Sequence, residues 1–297
     1  MTTPIALTIA LGAKPWRAAL SGPGAAAKTF SLSFADVSPI HRAFAPMVRE
    51  QRFDLSELAV VTAVQAFAAG KPVVLLPVVL ASRFQHRCLI TRRDAPATLD
   101  TLAGRRIGVR AYSQTTGMWI RGILQNDHGV DPASIGWVTQ EGAHVAECDD
   151  PPWVERTAAG RKLVDLLRDG EVDAAILGND LPDDPAFVSV FPEPEAAARA
   201  WYARHAVLPI NHVMVVSRAV AERDPAVLRD VWSLLKAVRP APAASGPDMT
   251  PIGIDAIRPG VETVLRFCRQ QSLLARDVTV DALFAEAAAL LGAAAVR

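Results

Sequence analysis

Apolar residues along this chain switch repeatedly between two spacings. Alternating positions, or short runs of β-branched and large aliphatic residues, predict strands over 5–10, 30–34, 58–61, 73–80, 88–91, 107–109, 135–139, 174–177 and 213–216. Between them, apolar residues three and four apart predict helices over 39–49, 61–69, 115–127, 160–169, 193–205, 224–239, 260–271 and 280–291. Some helix ends carry their own markers. Leu163, Leu166 and Leu167 share one face of a helix that stops at Asp169-Gly170, where glycine suits the C-cap. Asp224-Pro225 places an N-cap before a first-turn proline, and the run from Pro240 to Pro247 reads as a loop within a domain. Strands alternating with helices predict an α/β fold with mostly parallel sheets, and no internal repeat is visible.

The stretch from Gly104 to Gly122 concentrates the most chemistry. A strand over Ile107–Val109 is followed by Tyr112, Ser113, Gln114 and Thr115, and then by a helical pattern through Ile120, Ile123 and Leu124. A strand that delivers its C-terminal end to a helix N-terminus presents free backbone N–H groups and a partial positive charge to a carboxylate or phosphate. Read alone, the same stretch is an ordinary βα unit with a polar cap before it is an anion site.

Composition narrows the function. At 297 residues, the chain is long enough for two ordinary domains or one large one. Apolar residues make up 51% and charged residues 21%, a globular balance. The formal net charge is +0 and no long Lys/Arg run appears, so nucleic-acid binding has no electrostatic support. No segment is long and apolar enough to predict a membrane span. Met1-Thr2-Thr3-Pro4 has no basic start, and the strand-like alternation of Ile5, Leu7, Ile9 and Leu11 runs straight into Gly12; lacking a secretory pattern, the chain is expected to be cytoplasmic. Cys88, Cys148 and Cys268 are far apart and lack metal-ligand spacing. Walker loops, GxGxxG, HExxH and GxSxG motifs are absent.

Several ordered segments carry a resemblance. Leu99-Asp100-Thr101-Leu102-Ala103-Gly104-Arg105-Arg106-Ile107-Gly108-Val109 resembles the hinge-entering segment of type II periplasmic-binding-protein folds. Arg83-Phe84-Gln85-His86, Tyr112 to Thr116, Trp119-Ile120-Arg121-Gly122-Ile123-Leu124, Leu208 to Val213, and Ile252-Gly253-Ile254 with Arg258 look like the 4,5-dihydroxyphthalate decarboxylase family. Gln270 to Leu274 and Leu283-Phe284 extend the likeness toward the C-terminus. The chain departs from that pattern at Lys14-Pro15-Trp16, Ile252 and Ile257, and from Glu141 to Trp153.

The resemblance implies a two-lobed α/β fold with a ligand cleft between lobes joined by two crossovers. Lobe one is expected over 1–104 and 214–297 and lobe two over 105–213, with crossings near Arg105–Arg106 and Asn211–Val213. It also implies a cofactor-independent carboxy-lyase acting on a small hydroxylated aromatic carboxylate of the phthalate type, with no residues assigned as metal ligands. A homo-oligomer is compatible with the sequence. Such a reaction protonates the ring carbon that bears the carboxylate and releases CO2, so the protein must supply a proton donor and groups that hold carboxylates. His86, His212 and Glu57 are the catalytic candidates. Arg83, Tyr112, Ser113, Gln114, Thr115, Trp119, Arg121 and Arg258 are the substrate-binding candidates. Each has a plainer alternative: His86 as a histidine capped by a backbone carbonyl, Glu57 as a first-turn residue of the following helix, Trp119 as core, Arg121 as one half of a surface ion pair, and Arg258 as a brace for the C-terminal helix. His41, His128, His144 and His205 lie in polar contexts and receive no role. A second reading is a module that captures a small carboxylate without chemistry, because fold alone does not decide between capture and catalysis.

Overall fold

The computed structural model describes residues 4–25, 27–157, 160–293 and 296. The chain divides into two compact units: Met1–Arg83, Ile210–Leu265 and Ala275–Arg297 form the first, and Phe84–Pro209 with Arg266–Leu274 the second. The expected lobe ranges also include residues 1–3, 26, 158, 159, 294, 295 and 297, which lie outside the described residues.

In the first unit the chain runs through β1 (Ile5–Ala10), α1 (Lys14–Ser21), β2 (Phe30–Phe34), α2 (Phe44–Glu50), β3 (Leu55–Ala59), α3 (Val60–Ala68) and β4 (Val73–Ser82). The second unit contains β5 (Leu89–Arg92), β6 (Arg106–Ala111), α4 (Thr115–His128), β7 (Gly136–Glu141), β8 (Glu155–Arg156), α5 (Leu163–Arg168), β9 (Ala174–Ile176), β10 (Phe187–Ser189) and α6 (Pro194–His205). The chain then returns with β11 (Ile210–Ser217), α7 (Arg218–Arg223), α8 (Pro225–Ala237), α9 (Ile254–Gln270) and α10 (Val280–Leu291).

The first unit's sheet has the order β2-β1-β3-β11-β4. β1 is parallel to β2 and β3, whereas β11 is antiparallel to both β3 and β4. β3 lies between β1 and β11, and every one of its residues is buried, as a strand covered on both faces requires. β4 carries Pro77, which cannot donate to a ladder. It takes an edge position, where Gly253 N–H donates to the Pro77 carbonyl and Val79 N–H to the Pro251 carbonyl.

The second sheet has the order β10-β5-β9-β6-β7-β8. β6 is parallel to β7 and β9, and β7 to β8, while β5 is antiparallel to β9 and β10. Both sheets are therefore mixed, where the sequence pattern predicted mostly parallel pairing. α4 carries two glycines in its interior, at a propensity cost of roughly 1 kcal/mol each. Close packing explains one of them: a Cβ on Gly122 would stand 2.0 Å from the Phe267 ring.

The chain passes between units at Arg83–Phe84, Pro209–Ile210, Leu265–Arg266 and Leu274–Ala275. Arg266–Leu274, expected in lobe one, thus belong to the second unit, and the first two passages stand in place of the expected Arg105–Arg106 and Asn211–Val213. The reason is strand pairing. β5 belongs to the second sheet, and Asn211–Val213 lie inside a strand of the first. α1 was not predicted, although Pro15 suits a first turn and Trp16 and Leu20 form its buried stripe. α9 begins at Ile254 and passes through Pro259, where the pattern suggested a start at Gly260. Among the described residues no helix is long and apolar enough to cross a membrane.

Candidate active site

Glu57 sits in the middle of β3, and His212 is the third residue of β11. In this antiparallel pair Glu57 faces Met214 and His212 faces Ala59, so the two side chains are diagonal neighbours on one face. The pairing of β11 with β4 is irregular on both sides of His212, a distortion of the kind that re-aims side chains. His212 Nδ1 and Glu57 Oε1 are 2.5 Å apart. The other carboxylate oxygen accepts from the Gly12 and Ala13 backbone N–H groups, each at 2.7 Å. Those two groups belong to the turn that carries β1 into α1, so the carboxylate caps the positive end of that helix. The Phe44 ring meets the imidazole edge-on, with ring centres 5.4 Å apart.

Gly12 is fixed by space. A Cβ there would stand 2.6 Å from Ile40 Cβ, so a side chain would push the turn off the carboxylate.

Burial pushes the Glu57 carboxyl up, but the His212 hydrogen bond, the His212 charge and the two backbone N–H groups outweigh it and hold the group below the usual carboxylate range. Glu57 is therefore an anion at neutral pH. An anion on Nδ1 fixes the ring's orientation, keeps the proton on that nitrogen, and stabilises an imidazolium when Nε2 is protonated. The Glu57 side chain is 2% exposed and that of His212 is 23% exposed, so His212 is the member that can exchange protons with solvent. Chemically, the arrangement is a proton donor and acceptor with a fixed counter-ion.

The sequence offers Glu57 as a catalytic candidate or, more plainly, as a first-turn residue of the following helix. It caps a helix, but α1, which precedes it by more than forty residues, and it does so from mid-strand. The Gly12 and Ala13 amides were missed. The available signal was a glycine just after β1 and just before a first-turn proline.

In the second unit, Tyr112, Ser113, Gln114 and Thr115 link β6 to α4 as expected, with Gln114 at the N-cap. Their side chains are largely turned inward. Tyr112, Ser113 and Thr115 are buried, and the Gln114 Oε1 atom is buried without a hydrogen bond. Arg121 is fully buried, so it is not one half of a surface ion pair. Its Nε donates to Gln271 Oε1 at 2.7 Å and its Nη2 to the Tyr112 carbonyl at 2.5 Å. The guanidinium lies 3.9 Å from the Tyr112 ring centre and 5.1 Å from that of Trp137, so two aromatic faces take the place of a counter-ion. Burial pushes its pKa down to about 10, which leaves it charged at neutral pH. Nη1 has no hydrogen-bond partner and lies 3.1 Å from where a Gly117 Cβ would stand. Trp119 is core: it meets the Trp201 and Phe267 rings edge-on at 6.2 and 5.5 Å and is fully buried, so it is not placed to stack on a ligand.

His86 lies in a short 3-10 turn, buried, with its ring 5.0 Å from Phe191 and 6.4 Å from Trp201. Its Nδ1 is buried without a hydrogen bond, so it is not capped by a carbonyl there. Burial, and then the charge of His128, pull its pKa down to about 4 against the opposite pull of Asp127. It is neutral at pH 7. Arg83 closes the first unit and His86 belongs to the second. Arg258 braces helices: it donates to Asp281 of α10 at 2.8 Å and lies 4.0 Å from Glu262 of its own helix. Among the described residues no group of three or more His, Cys, Asp or Glu side chains is arranged to hold a metal ion.

Comparison with known proteins bears out the family resemblance. The chain is 30% identical over 200 residues to a 4,5-dihydroxyphthalate decarboxylase of Comamonas testosteroni, a match covering 60% of this chain and 58% of that protein. It is 28% identical over 168 residues to a 4,5-dihydroxyphthalate decarboxylase of Pseudomonas putida, covering 52% of this chain and 65% of that one. Each match thus spans less than two thirds of the relative's length. Both relatives are named as decarboxylases, which are carboxy-lyases. No family model matches the chain. Among solved structures, the periplasmic aliphatic sulphonate-binding protein SsuA of Escherichia coli superposes with a TM-score of 0.54 at 14% identity, covering 94% of this chain and 92% of that one. The alkanesulfonate-binding SsuA of Xanthomonas axonopodis pv. citri gives 0.55 at 13% identity, covering 95% and 99%. The expected α/β binding-protein fold is therefore shown.

Proposed function

We propose that this chain is a cytoplasmic decarboxylase of a hydroxylated aromatic carboxylate resembling 4,5-dihydroxyphthalate. The Glu57–His212 pair carries the reading: a buried carboxylate held by two backbone N–H groups and bonded at 2.5 Å to an imidazole with access to solvent. The two decarboxylase relatives support the same activity.

In the proposed reaction His212, as imidazolium, gives its Nε2 proton to the ring carbon that bears the carboxylate. The ring becomes cationic, with charge spread onto a hydroxyl oxygen. The carbon–carboxylate bond then breaks, its electron pair returns to the ring, and CO2 leaves. Glu57 stays ionised and stabilises the imidazolium; neutral His212 recovers a proton from solvent. Proton transfer by a positioned group of this kind contributes roughly 10²–10⁴-fold. Tyr112 to Thr115 form the turn at the N-terminus of α4 in the second unit, with side chains that are largely buried. Arg121 shapes that turn through its bond to the Tyr112 carbonyl.

The deciding test is purified protein with 4,5-dihydroxyphthalate. Decarboxylation at either of its equivalent carboxylates gives 3,4-dihydroxybenzoate, followed by chromatography with trapped CO2. Binding without product favours the second reading, capture of the acid, which the sulfonate-binding fold supports. Neither binding nor product from a panel of hydroxyphthalates and hydroxybenzoates sinks both.

A further inference from the structure

We propose that Arg17 is a positioning residue for the Glu57–His212 pair, acting through the peptide group that joins Leu11 to Gly12. Its catalytic meaning rests on the function proposed above. The chain of contacts is continuous. Arg17 Nη1 donates to the Leu11 carbonyl at 3.0 Å. The N–H of that same peptide is the Gly12 amide, which donates to Glu57 Oε2 at 2.7 Å. Glu57 Oε1 in turn meets His212 Nδ1.

A cation on the carbonyl end of a peptide draws electron density toward oxygen and makes the N–H at the other end a stronger donor. It also fixes the plane of the peptide, and so the direction in which the N–H points. The Arg17 backbone N–H makes the first helical bond of α1, to the Ala13 carbonyl at 2.9 Å, as any residue there would, so the side chain's specific contact is the one to Leu11.

The guanidinium is itself held. Its Cζ lies 4.8 Å from the centre of the Phe34 ring, at the end of β2, a strand paired with β1. Gly12 cannot drift to find another geometry, because Ile40 fills the space beside it. Lys14 and Arg17 on α1, His41 and Arg42 on the 3-10 turn Ile40–Ala43, Asp54 and Glu57 at β3, and His212 on β11 are charged or titratable groups of the elements around this turn; Asp54 is committed to Thr8, whose N–H and hydroxyl donate to it. Arg17 is the one of them that bonds to the peptide between Leu11 and Gly12. Nothing in the local sequence advertises this. An arginine on a helix surface reads as solvation until its partner carbonyl is known.

The test compares the wild-type chain with Arg17→Met, which keeps the stem over Phe34, and with Arg17→Lys. Two NMR readouts need no turnover: titration of the Glu57 side-chain carboxyl carbon, and hydrogen exchange of the Gly12 amide. Arg17→Met is expected to move the Glu57 midpoint up by about half a unit, a modest shift because Arg17 faces solvent. It is expected to speed Gly12 exchange about tenfold through easier local opening. Arg17→Lys is expected to restore part of both. In the decarboxylation assay, the acid limb of the kcat/KM profile should move up with Glu57. An unchanged Glu57 midpoint together with unchanged Gly12 exchange in folded Arg17→Met overturns the proposal. So does a lowered melting temperature with neither readout moved, the mark of a merely structural role. If the wild type releases no CO2 while both readouts still move, the decarboxylase reading falls and the positioning role stands.

Discussion

Replacing Glu57 with glutamine tests the core of this reading, because the side chain keeps its shape and loses only its charge. The geometry dictates how the amide must sit. Gly12 and Ala13 both donate to one carboxylate oxygen, so the glutamine carbonyl must take that place and its NH2 must face His212. The NH2 can only donate, which forces Nδ1 to be an acceptor and moves the ring's proton to Nε2. Protonating that ring would then set one N–H against another. A hydrogen bond to a charged group contributes roughly 1.5–3 kcal/mol, and an orphaned buried donor costs roughly 1–3 kcal/mol. Their combination destabilises the imidazolium by about 3–5 kcal/mol, which is a factor of roughly 10²–10⁴ in rate. Glu57→Gln is therefore expected to lower kcat by that factor with KM changed less than about threefold, since the lost contact is to His212 and not to substrate. The assay is product formation from 4,5-dihydroxyphthalate, with kcat and KM resolved separately and a thermal melt run beside it. A folded Glu57→Gln chain whose kcat stays within about threefold of wild type would refute the argument.

Two further outcomes follow from packing and burial. Gly12→Ala places a methyl 2.6 Å from Ile40 Cβ and 3.1 Å from both of its γ carbons, so it is expected to cost about 1–3 kcal/mol of stability and to lower kcat by shifting the amides off Glu57. Denaturant melts and initial rates check this together, and a variant equal to wild type in both removes the steric argument. His86 titrates near 4 when folded and near 6.5 when unfolded, so between those values the unfolded chain binds the extra proton. Its contribution is fully present above pH 6.5 and is lost as pH falls toward 4, about 2 kcal/mol of it between pH 7 and 5. Equilibrium unfolding at those two pH values should show the loss in wild type and a flatter dependence in His86→Leu; equal slopes would assign the loss to another group.

Local patterns made much of the fold legible. The β6–α4 junction was read correctly because a β-branched strand, a polar turn and a clear apolar stripe follow one another within a few residues. β8 and β10 left no trace, because strands of two and three residues are shorter than any period they could display. β3 was misread for a different reason. A glutamate in a five-residue run looks like the end of a strand, and only the partners brought by β1 and β11 make it tolerable in the middle of one. Those partners lie 45 and 155 residues away in sequence, so no local window contains them. Arg121 failed in the opposite direction. Its helical position was right, but an arginine near an anion-binding turn suggested a ligand contact, and the stacking that buries it against Tyr112 and Trp137 is a property of the folded core.

The same geometry separates the two histidines that the sequence left level as proton donors. Protonating His86 at pH 7 against a value near 4 costs about 4 kcal/mol, a charge that any rate through it would have to carry. Among the described residues Nδ1 has no hydrogen-bond partner, the Phe191 and Trp201 rings lie beside the imidazole, and the pull of Asp127 does not outweigh burial and His128. His212 meets the opposite conditions: an ionised carboxylate on Nδ1, a ring braced by Phe44, and a side chain that solvent reaches. A donor used once per turnover must be recharged as well as discharged. Exposure without a counter-ion would leave the imidazolium unsupported, and a counter-ion without exposure would leave it slow to reload. Of the two histidines His212 has both, and the proton chemistry proposed for this chain is assigned to it on that ground.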